Sequence, residues 1–185
     1  MANTMTSEKL DDQEIEELGK NSGTPTSCKC PRQYPAEWDG KDIDLGGRCT
    51  HIMSIPMFMH MPIAYDTYIN KQDTELANLE IEETWPNFTL TKTGGFRGQL
   101  IRLLEPNQSP SRRIQYLPSP FNVRVEIHPG DVGGIQRPLR AMSLDLLEEK
   151  KRPKELYLCH LTCAICADER GGQKIMLLRR WLSKN

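Results

Sequence analysis

The chain has 185 residues, 37% of them hydrophobic, and a formal net charge of −1. That length suits one domain with some excess, and that apolar share can bury a core without disulfides. The near-zero charge lacks the basic excess of generic nucleic-acid binders, and no apolar run nears the ~18 residues of a membrane span.

Charge is uneven: residues 1–44 carry ten acids and five bases, the remainder fifteen acids and nineteen bases. Residues 1–27 read as a mobile acidic tail, with a short helix at most over Asp11–Leu18. The tail has no apolar core of a secretory signal, so the expected compartment is the cytoplasm, where thiols stay reduced. Residues 28–49 are punctuated by Pro and Gly and hold Cys28, Cys30, Tyr34 and Trp38. They read as an irregular arm packed on the body, because aromatics would be wasted in a free tail.

Residues 50–185 read as a single α+β domain. Thr50 to Met61 is apolar and predicts a strand broken at Pro56. Ile63 to Glu83 repeats apolar residues near 3.6-residue spacing and predicts a helix ending before Trp85-Pro86. Phe88 to Lys92 alternates, Gly94-Gly95 turns, and Phe96 to Glu105 returns as a strand. Arg112 to Leu117 predicts a short edge strand. Phe121 to Ile127 has the cleanest alternation, with Phe121, Val123, Val125 and Ile127 on one side. Arg137-Pro138 opens a second helix with Leu139, Met142, Leu146 and Leu147 as its apolar stripe. Lys150, Lys151 and Arg152 suit its last turn and Pro153 its end. A hairpin follows: Glu155 to Thr162, a Gly171-Gly172 turn, and Lys174 to Leu178.

The predicted fold is therefore a largely antiparallel sheet with two helices on one face, a βαββ unit used twice, and an irregular N-terminal arm. This order of elements over residues 50–182 resembles the GyrI-like and SOUL families. The resemblance implies two halves paired around a groove that holds a ligand. It also implies that a central carboxylate, here Glu126, would receive a cationic ligand. A ferredoxin-like α/β sandwich is the rival arrangement.

Cysteine carries the clearest chemistry. Cys159, Cys163 and Cys166 have the spacing C-x3-C-x2-C, which resembles the iron–sulfur motif of radical-SAM enzymes. Only 19 residues follow Cys166, too few for the barrel that follows the motif in that family. A zinc site fits better. Cys163 and Cys166 form a C-x2-C step, Cys28 and Cys30 a tighter pair, and four thiolates at ~2.3 Å close a structural zinc site. Such a site would staple the arm to the last hairpin. Two alternatives stay open: plain buried thiols, and an iron–sulfur cluster or redox centre using Cys159, Cys163 and Cys166. Cys49 with His51 is a reserve pair.

Other candidates are weighed against plain packing. His51, Met53, Met57, Met59, His60 and Met61 offer soft ligands, but a Met-rich core strand or groove wall is the simpler reading. Met57, Met59, Tyr65 and Tyr68 are the candidate apolar ligand contacts, and Trp85 and Phe88 would join them if the groove exists. Arg97, Arg102, Arg112, Arg113 and Arg124 suit an acidic ligand, and Arg124 joins Glu126 among the candidate ligand contacts. No nucleophile motif is present, so catalysis stays open. The expected role is a small-molecule or metal-binding protein. Expected partners are a small molecule or another protein, with no specific nucleic-acid signal and no membrane. An enzyme using the Cys cluster and a purely structural partner protein are the alternatives.

Overall fold

Strand pairing follows the hydrophobic alternation. The computed structural model describes residues 28–106 and 108–183, so the expectation for residues 1–27 lies outside the described residues. The strands are β1 (Asp42–Asp44), β2 (Cys49–Phe58), β3 (Met61–Pro62), β4 (Thr89–Lys92), β5 (Arg97–Leu103), β6 (Ile114–Tyr116), β7 (Asn122–Pro129), β8 (Lys151–His160) and β9 (Lys174–Ser183). The helices are α1 (Tyr65–Asn78) and α2 (Gln136–Glu148). All nine strands join one sheet in the order β1-β7-β9-β8-β4-β5-β2-β3, with β6 also on β2, and every pairing is antiparallel. The expected α+β architecture holds.

The duplication is visible in that order. β2-α1-β4-β5 forms one half and β7-α2-β8-β9 the other, and the halves meet where Thr91 pairs with Leu158 and Lys92 with Tyr157. Both helices cover the same face. Ile69 of α1 packs on Met53, Ile55, Met57 and Leu100. Met142 and Leu146 of α2 pack on Leu158, Ile175 and Leu177. The opposite face carries the larger core, where Trp38 and Leu45 of the arm close over Leu90, Ile101, Val123, Val125, Tyr157 and Met176. Trp38 is edge-on to Trp85 and Phe88 at 5.3 and 6.4 Å. These aromatics therefore belong to the core beneath the arm, away from the helix face.

Several expectations need correction. Pro56 does not break β2: it pairs with Arg97, and its carbonyl accepts from the Ile63 N–H at 3.0 Å. Its missing donor costs little, because it lies beyond the short stretch that β6 pairs. Met57, Met59 and Met61 do not share a face. β2 stops at Phe58, and Met59 and His60 turn the chain with φ of 48° and 69°. Met57 is buried, while Met59 and Met61 are exposed. Helix α1 ends at Asn78, and Glu80 at φ 52° turns the chain out of it. Helix α2 ends before Lys150, so Lys151, Arg152 and Pro153 open β8. Leu147 is exposed, leaving Leu139, Met142 and Leu146 as the packed stripe. The arm is less irregular than expected, since β1 pairs with β7.

Gly98 is forced by packing. A Cβ on Gly98 would lie 2.7 Å from the Lys92 carbonyl and 2.2 Å from Met57 Sδ. Its neighbours β2 and β4 leave no room for a side chain there.

Candidate metal centre and adjoining cavity

β8 ends at His160, so Cys163 and Cys166 stand in the loop to β9 and not on the strand. The loop is braced at its base. Thr162 Oγ1 donates to the Gly172 carbonyl at 2.9 Å and accepts from the Lys174 N–H at 2.6 Å. Gly171 and Gly172 take φ of 73° and 96°, a region that glycine occupies without strain. Within the loop, the Cys166 N–H donates to the Cys163 carbonyl at 3.1 Å, which folds the C-x2-C step into a turn.

The arm comes to this turn. The sulfurs of Cys28, Cys30, Cys163 and Cys166 all lie within 4.8 Å of one another. Cys163 Sγ stands 3.7 Å from Cys28 Sγ and 4.0 Å from Cys166 Sγ. A tetrahedral ion with ~2.3 Å bonds to sulfur places its ligands ~3.8 Å apart. Backbone donors point at two of the sulfurs: Cys30 N–H at Cys28 Sγ, 3.4 Å, and Cys163 N–H at Cys166 Sγ, 3.3 Å. Such donors favour thiolates. Burial works against ionisation of Cys166, yet the Cys163 N–H and the thiols of Cys28, Cys30 and Cys163 hold it down to about 7. Burial pushes the Cys28 and Cys30 thiols up. Cys166 thus loses its proton more readily than Cys28 or Cys30. Four such groups could hold a metal ion.

Cys159 is separate. It lies in the core on the arm-covered face, and burial pushes its thiol up to about 12. The C-x3-C-x2-C spacing is therefore split between a buried strand residue and two loop residues. Cys49 packs with Leu76, Leu104 and Ile114. Its reserve partner His51 is fully buried, with Nδ1 3.0 Å from Gln72 Nε2 and Nε2 3.4 Å from Glu75.

A cavity of about 710 Å³ opens beside the four thiols. Thr89 and His160 lie on its floor at the junction of the two halves, Tyr65 and Ile69 of α1 form one wall, and Cys28, Cys30 and Cys163 border the other. The Tyr65 hydroxyl is 3.3 Å from Thr91 Oγ1, and burial raises its pKa to about 12, so it stays neutral. His160 opens onto this cavity and onto a smaller one of about 300 Å³ near Asp131. The surrounding walls lower its pKa, which favours neutral imidazole.

Of the six expected ligand contacts, the structure places Tyr65 on this cavity. Met57 packs beneath α1, Tyr68 is an α1 residue packed against the same cluster, and Met59 is exposed at the β2–β3 turn. Glu126 stands on β7, two strands away from the junction, where burial raises its pKa. Arg124 is held by Asp42 and Glu149 at 2.6 to 3.0 Å. Two more of the five arginines are committed, while Arg97 and Arg112 are exposed. Arg102, 1% exposed, pairs with Asp73 and Glu83 at 2.7 Å, and Arg113 pairs with Glu75.

Three residues around the thiols had not been singled out. Lys29, between two of the cysteines, donates to Asp73 at 2.7 Å and to Asn70 on α1. Arg170 donates to the Pro31 carbonyl at 2.9 Å and the Leu161 carbonyl at 3.0 Å, tying arm to loop. His160 closes β8 and faces the cavity. Its position at a strand end beside a cysteine loop was the available signal.

No family model matches the chain, and no curated protein matches it. Solved structures do. The chain is similar to the crystal structure of the EcmrR C-terminal domain, with a TM-score of 0.57 and 9% identity over 77% of this chain and 95% of that one. It is also similar to a chain of the EcmrR–DNA complex in EcmrR-RPo, with a TM-score of 0.53 and 9% identity, covering 77% of this chain and 56% of that one. At that identity the likeness is one of fold, and at that level it fits the GyrI-like resemblance. The second neighbour was solved with DNA, which withdraws support from the expectation that nucleic acid leaves no signal here. Among the described residues, no helix is long and apolar enough to cross a membrane.

Proposed function

We propose that this chain is a small-molecule-binding domain whose N-terminal arm is stapled to its last hairpin by one zinc ion on Cys28, Cys30, Cys163 and Cys166. The observation that carries the reading is the convergence of four sulfurs within 4.8 Å, from segments more than a hundred residues apart. The spacing suits a single ion bound by four thiolates. A cubane cluster would distribute the same thiolates over separate irons, farther apart. A closed set of four protein ligands leaves no open position for substrate, so the metal is structural. The cavity at the junction, with apolar walls and a few polar groups, falls in the size range of ligand sites.

Nucleic acid is a second partner class that the neighbour's DNA complex brings in. Of the five arginines that would serve it, Arg102, Arg113 and Arg124 are engaged in ion pairs while Arg97 and Arg112 are exposed, so the small molecule leads on the cavity itself. The test is metal analysis of the reductively purified full chain, combined with thiol titration under native conditions. About one zinc per chain, with the four thiols unreactive until a chelator is added, is the expected result. Metal-free protein whose four thiols titrate freely overturns the reading, and stoichiometric iron replaces zinc.

A further inference from the structure

The arm that carries two of the four cysteines is also a wall of the cavity. Cys28, Lys29 and Cys30 border it opposite Tyr65 and Ile69. Lys29 then crosses to α1, where it meets Asn70 and Asp73. Asp73 is itself fixed, because its other oxygen accepts from buried Arg102 at 2.7 Å and Arg102 is held in turn by Glu83. So the position of α1, which forms the far wall, is tied to the residue between two candidate ligands. We propose that the cavity between α1 and the four-thiolate loop binds a largely apolar small molecule, and that metal occupancy is coupled to that binding through the Cys28-Lys29-Cys30 wall.

This inference rests on the zinc reading above, and goes beyond it by making the staple a regulator of the cavity. The ligand class follows from the lining. Ile69, Tyr65 and Ile165 give apolar area, Thr89, Asn87 and His160 give hydrogen-bonding groups, and the Asp66 carboxylate stands at the mouth. Lys29 is spoken for by Asp73. Without metal, four thiols no longer share an ion, and that part of the arm keeps the Arg170 contact to Pro31, the Lys29 pair with Asp73 and the packing of buried Pro31. A ligand touching both walls then binds less well, and linkage requires that the ligand tighten the metal by the same factor.

Nile red, a neutral planar dye that brightens in apolar sites, serves as the probe on the full chain. Zinc-loaded protein should bind it at one site. Asp66→Trp, an exposed change on α1 at the cavity mouth, should weaken it at least about tenfold while leaving zinc content unchanged. Chelating the zinc should weaken it about 5- to 150-fold, the usual span of coupling between two sites. Saturating Nile red should slow zinc transfer to a chromogenic chelator by a similar factor. Zinc removal loosens more than one wall, so Lys29→Met gives an independent reading: it keeps all four thiols and the zinc, and should weaken the dye several-fold. If zinc is stoichiometric but the dye fails to bind, ignores Asp66→Trp, or binds equally with and without zinc or Lys29, the coupling is overturned while the staple stands. If zinc is absent, the staple itself fails.

Discussion

Cys163 Sγ lies 3.7 Å from Cys28 Sγ, across 135 positions of sequence. No backbone ladder joins the two segments there. The arm residues before the turn at Ala36 are held by side chains: the thiols, Lys29 on Asp73, Arg170 on the Pro31 carbonyl, and Tyr34 packed against the main core. Beyond that turn the arm is anchored differently, by buried Trp38 and by β1 on β7.

The first prediction follows from this division. Cys163→Ser removes one of four ligands and should abolish stoichiometric zinc binding. Trypsin should then cut readily at Lys29 and Arg32, while Lys41 stays protected because its carbonyl accepts from the Val125 N–H at 2.9 Å. Peptide mapping of timed digests reads both sites. Equal protection of Lys29 in variant and parent would remove the staple; rapid cutting at Lys41 would mean that the arm docks as one unit.

Trp38→Ala tests the other anchor. Trp38 is 6% exposed, edge-on to Trp85 and Phe88, with the Arg48 guanidinium 6.0 Å from its ring. Truncating a buried Trp costs about 3–5 kcal/mol. Urea unfolding should show that loss, with zinc still bound at low denaturant. A loss below about 1 kcal/mol would mean that the arm contributes little to the core.

Much of the fold was legible because local patterns and tertiary structure agree. The alternation of Val123, Val125 and Ile127 and the stripe of Met142 and Leu146 each encode a buried face within a few residues. The twofold order of elements followed from them. What escaped depends on contacts between distant positions. Glu80 and Lys150 turn the chain with left-handed φ despite being poor candidates for it, so both helix ends were misplaced. The strand before Cys163 ends where Thr162 bonds Gly172 and Lys174, which no local pattern announces. The pairing of the two cysteine segments was suggested by spacing alone. Lys29 and His160 went unseen because their roles exist only once α1 and the arm meet across the junction.

Arg102 supports a third prediction. Its guanidinium is almost completely buried and carries two carboxylates, Asp73 and Glu83. Removing one side of a buried ion pair costs about 3–5 kcal/mol, because the remaining charges stay desolvated. Arg102→Ala should therefore lower stability by about that much in urea unfolding. Glu83→Gln, which leaves the pair with Asp73, should cost less. An Arg102→Ala variant as stable as the parent would show that the network is solvated and that Asp73 does not depend on it to present Lys29.

The last prediction concerns acid. Asp42 lies between Arg124 and Lys151, at 2.6 and 2.5 Å, where β1 meets β7 and β8 begins. Burial alone would raise its pKa, but the hydrogen bonds from Arg124 and Lys151 hold it down to about 2. Glu149, at the end of α2, is held to about 2 by the same two cations. Unfolded carboxylates titrate near ~3.9 for Asp and ~4.3 for Glu. Both groups therefore have depressed folded pKa values, and their contribution is full above those unfolded values. It is lost as pH falls through about 4 toward 2. The urea midpoint of the parent should drop across that window. Asp42→Asn should lower the midpoint at neutral pH and flatten its fall below pH 4, because the charge whose protonation drives the loss is gone. A variant whose curve runs parallel to the parent's through the whole window would assign the acid sensitivity to carboxylates elsewhere, and would leave the β1 edge held by its backbone pairing with β7 alone.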